Sequence, residues 1–274
     1  MSSTLRLYEN LRAVSYVPFY LADELGLFDE FGVDVSMVLS ESPSETAIGL
    51  MEGRADVAFG GPMRVMMHHD QDSNCSLVCF CQVVGPEPFS LIGREPNPAF
   101  RFADLLDRRI GIVTEVPTPW LLLQDDLRRD GIDPASISRP APRSMAQNVS
   151  ALHAGDVDVI QVMEPYTELA LQAGHLWHAF AKRGSVGFTT FYTTREFLSS
   201  NMAACRSLAG ALKASIAKMY ALEGGEVANI VAARFPDLSE SALANAINRY
   251  RANAIWPIDQ TLRPSEFVRL KAAL

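Results

Sequence analysis

The sequence predicts an α/β fold of two lobes built alike, with mostly parallel sheets and a helical C-terminal tail. Strand-like and helix-like segments alternate along the first two thirds of the chain, the pattern of strand–helix–strand units. An ordered set of landmarks occurs twice. Gly32-Val33-Asp34, a strand, a capped helix, Gly53-x-x-Asp56-Val57 and a strand ending at Pro62 are matched by Gly131-Ile132-Asp133, a strand, a capped helix, Gly155-x-x-Asp158-Val159 and a strand ending at Pro165. From Glu196 onward the pattern is helical alone. The expected division is residues 1–85 with 187–274 in lobe one and 86–186 in lobe two.

The elements follow in order. Leu5-Arg6-Leu7-Tyr8 reads as a strand, Tyr20 to Leu27 as a helix punctuated by Gly26 and Gly32, and Val33 to Leu39 as a strand with alternating character. Ser42-Pro43-Ser44-Glu45 is a helix start: Ser42 can cap, Pro43 suits the first helical position and Glu45 can close a capping box. Asp56 to Phe59 is a short buried strand, Gly60-Gly61-Pro62 turns into another helix, and Ser76 to Val84 is an apolar strand. The second unit begins near Phe89, with a strand at Arg109–Val113, a helix at Thr118–Arg129 closed by Gly131, and a capping box at Ser144-x-x-Gln147. Asp158 to Val162 is a strand, and Glu164-Pro165 opens a further helix. Gly187 to Thr193 is a strand rich in Phe, Tyr and Thr; three helices follow, Leu208–Leu222, Gly225–Ala233 and one opened by Ser239 and running to Arg251. This tail is expected to pack on lobe one.

Composition narrows the function. The 274 residues are 48% hydrophobic and 20% charged, which excludes a disordered, collagenous or coiled-coil chain. The net charge is −8 and no basic run exceeds a pair such as Arg108–Arg109, so nucleic acid is not an expected partner. No run of 18 apolar residues suggests a membrane span. Met1-Ser2-Ser3-Thr4 carries no charged start followed by an apolar core, so the chain as written reads as cytoplasmic, and as periplasmic if a leader was trimmed. Four cysteines are too few for a disulfide scaffold. Cys79 and Cys81 read as small buried hydrophobes; a metal cluster of Cys75, Cys79 and Cys81 lacks ligand spacing. His68-His69-Asp70 reads as a solvated helix end, and His175-x-x-His178 lacks a third metal ligand. No metal and no cofactor is expected.

In open α/β sheets ligands bind beyond the carboxyl ends of the strands. Two lobes can turn those ends towards one cleft. The helix starts there, around Ser42 and Ser44, Gly61 and Pro62, and Thr118, offer free backbone N–H groups to a polar ligand. The alternative is that Ser42 and Thr118 only cap their own helices. Tyr16, Phe19, Phe89, Trp120, Tyr166 and Tyr192 are candidates for an aromatic slot, with core packing as the alternative for each. Trp120 and Tyr166 are the stronger candidates because each follows a proline at a strand-to-helix edge. Glu87 and Glu164 are carboxylates at the same edges, able to accept hydrogen bonds from an amine or ring nitrogen or to form a salt bridge. There is no GxSxG elbow, P-loop or GxGxxG after a strand, so no catalytic residue is predicted.

Val17-Pro18-Phe19-Tyr20-Leu21-Ala22, Glu24-Leu25-Gly26-Leu27-Phe28 and Gly32-Val33-Asp34-Val35 resemble the start of type II periplasmic solute-binding proteins. The branch that binds nitrate, sulfonates, taurine and thiamine-pyrimidine precursors is the most similar. Gly53-Arg54-Ala55-Asp56-Val57-Ala58, Gly111-Ile112-Val113, Gly155-Asp156-Val157-Asp158-Val159 before Glu164-Pro165, Phe235-Pro236-Asp237-Leu238 and Trp256-Pro257 continue the likeness over nearly the whole chain. The resemblance implies two lobes joined by two hinge strands that close on a small molecule of sulfonate, pyrimidine or aromatic type. It also implies a monomer partnered by an ABC-transporter permease if exported. Enzymes on the same fold are the alternative. The thiamine-pyrimidine synthases carry a first-lobe lysine, whereas this chain has no lysine before Lys182. A desulfinase-like enzyme would want a cleft cysteine, and none of the four falls at a predicted cleft edge.

Overall fold

The computed structural model describes residues 4–274, so the start Met1 to Ser3 lies outside the described residues. The strands are β1 (Leu5–Glu9), β2 (Val35–Leu39), β3 (Val57–Gly60), β4 (Leu77–Pro86), β5 (Phe89–Gly93), β6 (Ile110–Gly111), β7 (Val159–Met163), β8 (His175–Ala179) and β9 (Ser185–Thr194). They form a five-stranded sheet in the order β2-β1-β3-β9-β4 and a four-stranded sheet in the order β6-β7-β5-β8.

The α/β class and the two sheets agree with the sequence; the strand directions do not. Instead of mostly parallel sheets, both are mixed. The β2-β1-β3 block and the β6-β7 pair are parallel, while β9 runs antiparallel to β3 and β4, and β5 antiparallel to β7 and β8. The reason is the crossover. The chain leaves the first sheet along β4 and comes back along β9, and those two strands pair from Leu77↔Thr194 to Pro86↔Ser185.

The repeated landmarks fold alike. Arg6 on β1 donates to Asp56 from its backbone N at 2.7 Å, from Nε at 3.1 Å and from Nη2 at 2.8 Å. Arg109 beside β6 donates to Asp158 from the same three atoms at 2.9, 3.1 and 2.8 Å. Each aspartate N–H returns a bond to its arginine's carbonyl, at 3.0 and 2.8 Å. The aspartate therefore ties the strand before the first helix to the strand after the second. Gly53 and Gly155, three residues upstream, have φ +73° and +83°, a conformation that a Cβ disfavours.

Local signals explain most boundaries. Ser144 accepts from the Gln147 N–H at 3.2 Å and donates its own to Gln147 Oε1 at 2.9 Å, closing the expected capping box. The Thr118–Arg129 helix has the expected bounds, and Gly131 follows it at φ +76°. The first helix starts earlier than expected, at Val17, because Pro18 fits its first turn, and it stops at Glu24 before the left-handed Gly26. Ser42 accepts from Glu45 N–H at 3.3 Å, but Glu45 pairs with Arg54 instead of closing a box. The Arg109–Val113 strand shrinks to Ile110–Gly111, with single parallel bridges at Arg109↔Ser138 and Val113↔Arg143.

One contiguous apolar core runs through both sheets, and a smaller cluster with Tyr8, Ala47, Leu50, Val65 and Tyr192 lies under the helices Glu45–Met51 and Pro62–Gln71. The C-terminal helices reach beyond the first sheet. Tyr250 donates to Pro88 O at 3.2 Å and accepts from Glu164 N–H at 2.8 Å, and Arg249 pairs with Glu164 and Glu168. Arg269 pairs with Asp125, at 3.0 Å, and with Asp126 on the Thr118–Arg129 helix. No described helix is long and apolar enough to cross a membrane.

The Arg109 guanidinium, chiefly through its side-chain hydrogen bonds, holds the Asp158 carboxyl down at about 2. A carboxyl lowered on folding stabilises the protein above its unfolded pKa, near 3.8, and that contribution disappears as pH falls through 2. Asp158→Asn should cost about 1–2 kcal/mol at pH 7 and remove part of the acid-induced loss of stability between pH 4 and 2. Urea unfolding at pH 7 and pH 3 measures both; equal losses at the two pH values would refute the assignment.

Candidate functional site

The carboxyl ends of β1 and β3 face the second sheet across a cleft whose floor is β9. After β1, the chain turns through Asn10, Leu11, Ser15 and Tyr16; after β3, Gly61 precedes the Pro62–Gln71 helix. The opposite wall is Val116 and Thr118 at the start of the Thr118–Arg129 helix, with Met163 at the end of β7. Pro88 and Phe89 from the outgoing crossover and Phe188 and Thr189 from β9 complete the hinge end. The walls come close together. A Cβ added at Gly61 would stand 3.6 Å from the Thr118 hydroxyl. The space between them is about 30 Å³, enough to admit water.

The cleft continues away from the hinge. Arg12, one residue beyond Leu11, and Pro165, two beyond Met163, begin a second, wider cavity of about 580 Å³. Leu39 of β2, Ala146, Tyr166 and Leu169 form its walls, and Arg234 to Leu238 of the tail cover one side. This volume falls in the range of small-molecule sites, whose walls are mostly apolar with a few polar groups. Its two cations are compensated. Arg12 Nε lies 3.0 Å from Glu9, and Arg234 pairs with Asp23 and with Glu24 at 3.1 Å; both guanidinium groups lie over the Tyr20 ring.

At the hinge end the polar groups are neutral. Burial pushes the Tyr16 phenol up to about 12, with the neighbouring Thr189 and Asn10 opposing the shift. Asn10 Oδ1 is buried without a hydrogen-bond partner among the described residues.

The sequence-predicted residues separate into three groups. Tyr16, Gly61, Phe89 and Thr118 line the hinge-end cavity, and Tyr166 lines the wide one. Pro62 and Glu164 stand next to lining residues but are buried, Glu164 being engaged by Arg249 and by the Glu168 N–H at 3.0 Å. The others belong to neither cavity. Phe19 stacks on Phe59 at 4.1 Å in the core, because the Val17–Glu24 helix turns that face onto the sheet. Tyr192 is buried on β9, under the opposite face of the sheet. Trp120, two residues past Thr118 and so across the helix from it, carries Arg139 over its ring at 4.2 Å. Ser42 caps, and Ser44 lines a separate pocket with Arg64 and His68. Glu87 is fully buried beneath the crossover, 3.3 Å from Arg183.

Phe188 and Thr189 went unnoticed as site candidates because they lie in a strand interior; only the pairing of β9 between β3 and β4 brings that strand across the cleft. Nothing in the sequence singled out Asn10. The cysteines are all free, and burial pushes the Cys79 and Cys81 thiols up to about 11 and 12, so both are protonated at neutral pH. His178 packs against Phe180 at 4.9 Å, and burial lowers it to about 4.

The family sequence model described as NMT1/THI5 like matches residues 14–222, well over half of the chain. The chain belongs to the NMT1/THI5-like family. Its match with YtlA of Bacillus subtilis (strain 168) is 21% identical over 98% of this chain and 82% of that protein. The NMT1/THI5-like chain superposes on the periplasmic aliphatic sulphonate binding protein SsuA from Escherichia coli with TM-score 0.80, at 16% identity, over 100% of this chain and 91% of that one. The periplasmic nitrate-binding protein NrtA from Synechocystis PCC 6803 gives TM-score 0.65 at 15% identity, over 97% of this chain and 74% of that one. The fold is that of periplasmic binding proteins.

Burial raises the Glu87 carboxyl to about 8, against the lowering effect of Arg183; Asp126 raises it further and Arg269 lowers it. A carboxyl raised on folding favours the folded state fully below its unfolded pKa, near 4.5, and loses that contribution as pH rises through 8. Glu87→Gln should flatten the decline of stability between pH 5 and 8, where one such group contributes up to about 1.4 kcal/mol per pH unit. Chemical denaturation at pH 5, 6.5 and 8 tests this; an unchanged slope in the variant would exclude Glu87 as its source.

Proposed function

We propose that the protein is the substrate-binding component of an ABC-type import system, which captures a small organic molecule between two lobes and presents the closed form to a membrane permease. The lobes are residues 1–85 with 187–274, and residues 86–186. The observation that carries this reading is the pair of cavities along one cleft, walled by strand ends of both sheets and floored by the β9 crossover. The fold shared with periplasmic sulphonate- and nitrate-binding proteins supports it.

Hinge closure about the β4–β9 pair is the working motion. A solute that touches Tyr16, Gly61 and Asn10 from lobe one and Thr118 and Tyr166 from lobe two binds the closed arrangement better than the open one, and that difference drives closure. The apolar walls around Tyr166, Leu169, Phe235 and Leu238 suit an aromatic or heterocyclic body. The compensated charges of Arg12 and Arg234 suit a solute of zero or one negative charge. The protein works as a monomer and returns its solute unchanged.

Native mass spectrometry of freshly purified protein, followed by denaturation, should release an intact compound, and small-angle scattering should show compaction when that compound is restored. Tyr166→Ala should weaken its binding about tenfold, as expected for a lost aromatic contact with its buried area. Trp120→Ala should change affinity by less than about twofold. Consumption of the compound on incubation, or no compaction with bound solute, would sink the reading.

A further inference from the structure

The hinge end of the cleft contains a polar group that the protein leaves unsatisfied. Asn10 is 7% exposed, and its Oδ1 is buried with no hydrogen-bond partner among the described residues. Its Nδ2 rests against β3, 3.2 Å from where a Cβ on Gly60 would stand. A buried acceptor without a partner is costly, and in native proteins it usually awaits a water or a ligand. The rest of this end offers hydroxyls, on Ser15, Tyr16, Thr118 and Thr189, each able to donate or accept.

An oxyanion would be badly served here. Among the described residues no Lys, Arg or His lines this cavity. The two helices that start at its rim, Pro62–Gln71 and Thr118–Arg129, each carry a proline in the first turn, Pro62 and Pro119. Each proline removes one of the free N–H groups through which a helix N-terminus holds an anion. An anionic oxygen next to Asn10 Oδ1 would set acceptor against acceptor. A head group with an N–H or O–H beside an acceptor satisfies Asn10 and the hydroxyls together.

We infer that the solute's head group is uncharged and carries a hydrogen-bond donor next to an acceptor, as in a carboxamide or lactam, and that Asn10 selects it against carboxylate and sulfonate heads. This rests on the solute-binding reading and adds the chemical class. It sets this cleft apart from the sulphonate- and nitrate-binding proteins of the same fold. A site built to bond a donor rejects an analogue lacking it strongly, because its own group is then left unpaired.

Calorimetric titration of the whole chain with two matched pairs tests it: benzamide against benzoate, and methanesulfonamide against methanesulfonate. The amide member of each pair should bind at least tenfold tighter. Asn10→Leu should cut that ratio to about threefold or less, while Asn10→Asp, which keeps an acceptor, should preserve it. Thermal unfolding of both variants separates lost recognition from lost folding. Tighter binding of the anions to the wild type, or a ratio that survives Asn10→Leu in a folded protein, would overturn the inference. A co-purified solute with an oxyanion head would overturn the inference alone. No heat from any of the four probes, with no solute in the native mass spectrum, would overturn the solute-binding reading and this inference with it.

Discussion

β9 is hydrogen-bonded on both edges within the first sheet, to β3 on one side and β4 on the other, and its start touches the end of β4 at Pro86↔Ser185. The chain must therefore enter and leave the second sheet at one place, through two adjacent antiparallel segments. The cleft, its floor and the axis of any relative motion follow from that pairing. Successive residues of β9 serve different parts of the molecule. Thr189 faces the cleft, Thr190 pairs with Gly60, and Phe191 stacks on Phe80 at 5.4 Å. A shift of one residue in this register would exchange the cleft-facing and core-facing side chains.

Charge is concentrated beside this crossing. Glu87, Asp125 and Asp126 share Arg183 and Arg269 in a largely buried cluster joining the outgoing crossover, the return segment, the Thr118–Arg129 helix and the C-terminal helix. Buried ion pairs contribute little net stability, but removing one partner is expensive. Such a cluster tolerates few alternative arrangements, so it favours one relation between the tail and the second sheet. Arg249 and Tyr250 do the same on Glu164, Glu168 and Pro88. The tail thus packs on the first sheet, as its amphipathic helices suggest, and also grips the second, which its sequence did not indicate.

What could be read in advance was local or repeated. The Ser144–Gln147 capping box, the Thr118–Arg129 helix and the Gly-x-x-Asp landmarks depend on neighbours within a few residues, or on a pattern that recurs. The aspartates even proved to hold equivalent arginines, Arg6 and Arg109. Tyr16, Gly61, Thr118 and Tyr166 lie along the cleft because strand ends in an α/β sheet are legible from strand and helix alternation. Phe19, Trp120 and Tyr192 went elsewhere because the face a side chain takes depends on what packs over it. Two positions past Thr118, Trp120 lies across the helix, under Arg139.

The amino-acid order was enough to specify the class of fold, the doubled unit and the family likeness, since these rest on periodicity, caps and turns that act over short stretches. The antiparallel β9 between parallel neighbours, the buried charges of the crossing and the unpaired acceptor of Asn10 arose only in three dimensions. Each requires residues about 100 or more positions apart to meet, as Gly60 meets Thr190 and Glu87 meets Arg183. Such meetings are decided by competition among whole packings, in which a side chain's partners are whatever the closed core leaves beside it.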